Sequence, residues 1–242
     1  MDGWSEVGDG VFVGRYREWD LTVGLVLGDT GCLVVDTRAD RAQGAELASA
    51  VRAVTPLPWT VLLTHHHFDH CLGLPAFLPC PVWAHERCAA HLRAPGGDAA
   101  VPDHPLTGHA AVDLGGRRVR LHHPGPAHTD NDVLAHVPDA GVVFAGDLVE
   151  HVPGGSFSAE SFEDVTHLAQ WPAALDALLA LAPRVVVPGH GDPVGPDFVA
   201  SARDELAALI HLRRERDSGA LTTDEAVARA PLPPPVAGAA LR

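Results

Sequence analysis

Val61-Leu62-Leu63-Thr64-His65-His66-His67-Phe68-Asp69-His70 is the stretch on which the reading of this chain turns. An apolar run with the character of a buried strand ends in four histidines and one aspartate within six residues. Imidazole nitrogen and carboxylate oxygen are ligands for first-row transition metals, zinc foremost. If the extended geometry continues past Leu63, side-chain alternation places His65, His67 and Asp69 on one face, and His70 comes round as the chain turns. His66 then points away and is not counted as a ligand. Two separated ligand sets in so short a segment point to two metals rather than one. The competing reading is a histidine-rich solvated loop, which needs no partners elsewhere.

Partners are present. Gly125-Pro126-Ala127-His128-Thr129 follows the strand-like Arg118-Val119-Arg120-Leu121. Val142-Val143-Phe144-Ala145-Gly146-Asp147 is an apolar run ending in a carboxylate, and Val185-Val186-Val187-Pro188-Gly189-His190-Gly191 ends in a histidine between glycines. Each puts one ligand-type residue at the carboxyl end of a strand, where a rigid sheet can present it from a loop. Gly125, Gly189 and Gly191 suit backbone that bends close beside a crowded site. The other ten histidines, from His85 to His211, have no metal spacing and read as surface or packing residues.

In these motifs the chain resembles the metallo-β-lactamase superfamily in its dinuclear form. The H-x-H-x-D-H motif matches at His65, His67, Asp69 and His70, the later histidine at His128, the bridging aspartate at Asp147 and the last histidine at His190. The separations are 58 residues from His70 to His128, 19 to Asp147 and 43 to His190. The resemblance spans about residues 7–195. It implies an α/β (α+β) fold, a four-layer αβ/βα sandwich of two mixed sheets with helices on the outer faces. It also implies a ligand scheme in which His65, His67 and His128 hold one metal, Asp69, His70 and His190 the other, and Asp147 bridges them. Two zinc ions per chain are expected, with iron or manganese compatible with the same ligands. A metal-bridging hydroxide would then attack an ester, thioester, lactone or amide, because two cations about 3.5–4 Å apart lower the pKa of a shared water toward ~7. Asp69 is the candidate catalytic residue, since one carboxylate oxygen remains to orient the nucleophile. Asp36, in the Asp-Thr pair ending a hairpin, resembles a structural aspartate of the family and is expected to brace ligands.

Length and composition agree. The 242 residues, 46% apolar, suffice for one large α/β domain, with a C-terminal helical extension from about residue 197. No run approaches the roughly 20 apolar residues of a membrane helix, and Met1-Asp2-Gly3-Trp4-Ser5-Glu6 lacks a signal peptide's basic and apolar regions. Cys32, Cys71, Cys80 and Cys88 show no zinc spacing, so free thiols in a reducing cytoplasm are expected. Cys71 adjoins the metal motif and reads as a buried small apolar residue or an outer-shell group. Arginines account for all 17 basic residues, and a net charge of −14 with no basic stripe argues against a nucleic-acid surface.

A coarse pass predicts strands at 11–13, 21–27, 32–35, 61–64, 82–84, 118–122, 133–137, 142–145 and 185–187. Helices are expected at 40–54, near 73–78, at 85–93, 171–181 and 197–216, with residues 94–109 as a loop and the proline-rich 231–235 ending any helix.

The substrate side is read by elimination within the resemblance. Asp147 stands where one lactamase subclass has a cysteine, and Glu150 where that subclass often has a lysine for the substrate carboxylate. With no lysine and only Tyr16, the chain lacks the basic and tyrosine anchors of glutathione thioesterases and the tyrosine of homoserine lactonases. A small-molecule substrate remains. Phe68, Trp83, Phe157 and Trp171 are candidates for an apolar wall, with a core role equally open to each. The alternatives are a mononuclear iron persulfide dioxygenase of the same fold, a β-lactamase, or a non-catalytic binding protein.

Overall fold

The computed structural model of the protein describes residues 3–93, 100–163 and 167–242. The first half builds one sheet from β1 (Trp4–Gly8), β2 (Val11–Arg15), β3 (Thr22–Leu27), β4 (Cys32–Val35), β5 (Trp59–Leu62), β6 (Val82–His85) and β7 (His104–Leu106), in that spatial order. The pairs from β1 to β4 are antiparallel and those from β4 to β7 parallel. Helices α1 (Arg41–Val54), α2 (Phe68–Cys71) and α3 (Glu86–Leu92) belong to this half. The second sheet runs β12 (Val185–Gly191), β11 (Val142–His151), β10 (Leu134–Val137), β9 (Arg118–His122), β8 (His109–Asp113). It is antiparallel except for the β11–β12 pair. Helices α4 (Trp171–Leu179), α5 (Pro196–Asp217), α6 (Thr223–Arg229) and α7 (Pro234–Ala240) complete the chain.

Strand alternation sorts the apolar residues into three cores. Val11, Val13, Leu33, Val35 and Leu62 from the first sheet meet Val119, Leu121, Val142 and Phe144 from the second. The alternate residues Phe12, Leu25, Val34 and Val61 turn outward onto Leu47 and Val51 of α1 and Cys88 of α3. Val143, Ala145 and Val186 likewise turn out of the second sheet onto Trp171, Leu175, Leu206 and Leu209. Both faces of each central strand are therefore covered, which is why these strands read as unbroken apolar runs. The result is the expected four-layer sandwich of two mixed sheets between helices.

The sheets approach closely at Gly24 of β3, where a Cβ would fall on the Phe144 ring of β11. Phe144 is 2% exposed and has no room to retreat. Gly24→Ala is therefore expected to destabilise the protein by about 1–3 kcal/mol through overpacking. Urea titration would register this as a lower midpoint at unchanged slope; an unchanged midpoint would mean that the sheets separate freely.

Several predicted elements shift. The extended geometry stops earlier than expected: β5 ends at Leu62, and Phe68–Cys71 is a helical turn begun at His67. Asp69 therefore does not share an alternating strand face with His65 and His67. The region near 73–78 holds only a 3-10 turn at Leu74–Ala76. Part of the predicted 94–109 loop is strand β7, aligned along β6, while residues 94–99 lie outside the described residues. Strands β1 and β8 were not expected, whereas α6 falls within the expected C-terminal helical extension. α6 starts at a capping box between Thr222 and Glu225. As expected, no helix continues through the proline-rich stretch: α6 ends at Arg229, and Pro234 and Pro235 instead open a new helix, α7, where their missing N–H groups cost nothing.

Candidate metal centre

All seven sequence-predicted residues come together at one end of the sandwich. His65 and His67 follow β5, Asp69 and His70 sit on α2, His128 lies in the turn after β9, Asp147 is within β11, and His190 is near the end of β12. Their potential ligand atoms fall into two groups, each within 4.8 Å: His65, His67, His128 and Asp147, and separately Asp69, His70 and His190. The helical turn produces this division, because it carries Asp69 and His70 away from the pair that precedes it. His66 stays out. It accepts from Asn131 Nδ2 at 2.8 Å and stacks on His91 at 4.0 Å between ring centroids.

Asp147 faces both groups. Its Oδ2 is 3.4 Å from His65 Nε2, 3.6 Å from His128 Nε2 and 3.3 Å from His190 Nε2, and its Oδ1 is 3.1 Å from His70 Nε2. Asp69 Oδ2 lies 3.4 Å from His190 Nε2 and 3.6 Å from His70 Nε2. Gly189 is required beside Asp147, since a Cβ there would overlap the carboxylate.

The hydrogen bonds around the imidazoles determine which nitrogen is available. Asp36, in a left-handed conformation (φ 65°), accepts from Thr64 N at 2.7 Å, Thr64 Oγ1 at 2.8 Å and His70 Nδ1 at 2.8 Å. An ionised carboxylate only accepts, so His70 carries its hydrogen on Nδ1 and turns Nε2 inward. The one Thr64 hydroxyl hydrogen goes to Asp36, so this oxygen accepts from His65 Nδ1 at 3.1 Å and leaves His65 Nε2 with its lone pair. His190 Nδ1 donates to the Trp19 carbonyl at 2.7 Å. Asp36 is thus the brace the sequence suggested, and it serves two ligand-type histidines at once.

Electrostatics of the buried centre call for positive charge. Burial holds the His65 pKa well below its usual value and lowers that of His128 to about 3. Burial works against the charged form of His190 too, but Asp147 outweighs it and raises the pKa to about 9. Burial would raise Asp147, yet the His70, His190 and His65 rings hold it well below the carboxylate range. His65 Nε2 and Asp147 Oδ1 are buried without hydrogen-bond partners, His67 Nδ1 is 3.1 Å from His128 Nε2, and His70 Nε2 is 3.4 Å from His190 Nε2. Inward nitrogens at such separations, beside a carboxylate, suit bound cations.

Asp132 was missed by sequence reading and braces the other side. It accepts from Thr129 N at 2.8 Å and Thr129 Oγ1 at 2.7 Å, shaping the turn that holds His128, and burial raises its pKa to about 7. No spacing rule marks it; only the turn sequence Thr-Asp-Asn-Asp hints at side-chain bonding. Cys71 is buried in the apolar core, with Sγ donating to the His66 carbonyl at 3.2 Å, and burial pushes its thiol up to about 12.

A cavity of about 560 Å³ opens over the centre, with Asp69, Asp147, His67, His128 and His190 in its floor. Of the aromatic residues expected as a wall, only Phe68 takes part. Phe157 and Trp171 are buried in the core, and Trp83 packs between the sheets. Trp19, which carried no sequence signal, takes the place beside Phe68. Glu150, Glu160 and Glu163 also line the cavity.

Residues 18–190 match the family model described as the metallo-beta-lactamase superfamily. The chain belongs to that superfamily, a group of metal-dependent hydrolases. It is 26% identical over 180 residues to a protein named metallo-beta-lactamase type 2 from Bacteroides fragilis, covering 72% of this chain and 70% of that one. It is 33% identical over 150 residues to a hydroxyacylglutathione hydrolase of Acidiphilium cryptum, covering 59% of this chain and 55% of the relative. A solved metallo-beta-lactamase from Pontibacter korlensis superposes with a TM-score of 0.71 at 21% identity, over 84% of this chain and 98% of the other. The DIM-1 metallo-beta-lactamase gives 0.69 at 18%, over 83% and 94%. At these identities the structures speak for the fold. No helix among the described residues is long and apolar enough to cross a membrane.

Proposed function

We propose that this superfamily member is a dinuclear zinc hydrolase that cleaves an ester, thioester, lactone or amide bond of a small molecule. The observation that carries it is the position of Asp147, whose carboxylate lies 3.1–3.6 Å from histidines of both groups. His65, His67 and His128 would hold one zinc ion, Asp69, His70 and His190 the second, with Asp147 shared between them. When bound, the two ions supply Lewis acidity and a water acidified toward pKa ~7.

The chain's own groups do the rest. Asp69 Oδ2 faces His70 and His190, while its Oδ1 accepts no hydrogen bond from the described residues, and the side chain lines the cavity. That second oxygen is placed to accept a proton from the attacking water and hold it in line. Asp36 and the Trp19 carbonyl keep His70 and His190 turned inward. The Trp19–Phe68 pair gives an apolar flank for the substrate.

Elemental analysis of protein purified without added metal is expected to return two zinc ions per chain. A single iron with no second metal on reconstitution would instead favour the persulfide dioxygenase. A panel of an aryl ester, a lactone, an acyl thioester, S-lactoylglutathione and a β-lactam, run with and without chelator, tests the reaction. Chelator-sensitive turnover is expected for simple esters, thioesters or lactones, and weak turnover for the two anionic substrates. Hydrolysis of the β-lactam alone would overturn the substrate assignment while leaving the metal assignment intact.

A further inference from the structure

We infer that the cavity over the metal centre selects substrates carrying a positively charged ammonium group. This rests on the hydrolase reading of the same site. Two features of different kind meet in the cavity wall. The first is a pair of carboxylates, Glu160 and Glu163, on the segment that follows β11. Both side chains are exposed, and neither makes an ion pair or hydrogen bond among the described residues. In a chain whose arginines engage acidic partners at Arg15, Arg38, Arg117 and Arg203, two unpaired glutamates in one cavity are available for a ligand.

The second feature is aromatic. Trp19 and Phe68 meet edge to face, with centroids 5.2 Å apart, and remain 50% and 49% exposed although both are large and apolar. Trp19 holds a left-handed backbone conformation, φ 57°, and its carbonyl is bound to His190, so its place at the cavity is tied to the metal centre. Aromatic faces attract cations through the ring quadrupole and pair with carboxylates in sites that bind ammonium groups.

Away from the metal centre itself, no basic side chain among the described residues offsets these groups. The chain has no lysine, and no arginine lines the cavity. Among the described residues no lysine or arginine stands at the cavity wall to hold a substrate carboxylate, so a substrate anion would have to sit at the metal centre itself. An ammonium placed between the aromatic pair and the glutamates leaves the metal centre to the scissile bond. The group so bound does not react, so its contribution falls on substrate binding more than on the chemical step.

The test compares three thioesters of equal length on the metal-loaded protein: acetylthiocholine, its uncharged tert-butyl isostere, and a carboxylate-bearing analogue. Acetylthiocholine is expected to exceed the neutral isostere about tenfold in kcat/KM, chiefly through KM, with the anion slowest. In the double variant Glu160→Gln/Glu163→Gln that ratio should fall toward one, and Trp19→Ala should lower it part of the way. Calorimetric titration with choline gives a second readout that needs no turnover. Binding is expected to the metal-free and metal-loaded protein alike, about tenfold weaker in the double variant. Turnover without preference for the cation, or with preference for the anion, overturns the inference and leaves the hydrolase reading standing. Choline binding that depends on both glutamates, with none of the thioesters hydrolysed, sustains the inference and counts against the reaction class. Absence of choline binding together with equal rates sinks the inference outright.

Discussion

Asp147→Asn is expected to empty the centre of metal and to lower hydrolytic turnover by on the order of 10³. The substitution keeps the shape of the side chain and one carbonyl oxygen but removes the negative charge. That charge faces four imidazoles, with His65, His128 and His190 near Oδ2 and His70 near Oδ1. The residue is 5% exposed, so water cannot take over its role. Elemental analysis should return fewer than two metals per chain, and the circular dichroism spectrum should stay native, because the substitution keeps the side chain's shape and volume. A variant that keeps both metals and wild-type turnover would rule out a shared ligand at this position.

Asp69→Asn should act differently. An amide still offers an oxygen toward His70 and His190 but has no second acceptor of comparable basicity for the proton of the attacking water. Turnover is expected to drop by about 10²–10⁴, the range of a lost general base, with KM changed little. The split between kcat and KM is the diagnostic, read alongside metal content. Loss of metal in step with loss of activity would assign Asp69 to holding the ion alone. Full turnover with both metals bound would remove it from the chemistry.

Much of this centre could be read along the chain because metal ligands are chemically conspicuous. Histidine and aspartate cannot fill a buried strand end cheaply unless something compensates them. Their position after apolar runs at Leu63, Phe144 and Val187 therefore marked a site as well as a set of strands. The strands themselves were legible where both faces are buried, since each residue of Cys32–Val35 or Val142–Ala145 must be apolar whichever way it points. Strands β1, β7 and β8 left no such trace. β1 is half exposed, β7 has three residues, and β8, His-Ala-Ala-Val-Asp, buries only Val112.

The sequence by itself determined the ligand types, their order, and the runs that become the inner strands, because these depend on local chemistry and on burial at each position. Tertiary structure supplies the juxtaposition that makes each ligand group. His65, His67, Asp69 and His70 come from the first sheet and His128, Asp147 and His190 from the second, so their juxtaposition exists only once the sheets pack. The helical turn at Phe68–Cys71, which separates Asp69 from His67, follows from the Asp36 brace and the Thr37 contacts with His70 rather than from the local pattern. The cavity wall is also a product of packing. Trp19 and Phe68 meet across 49 residues of chain, and Glu160 and Glu163 line the same cavity from the segment after β11. Contacts between residues so distant carry no periodicity, and only the folded backbone brings them to one cavity.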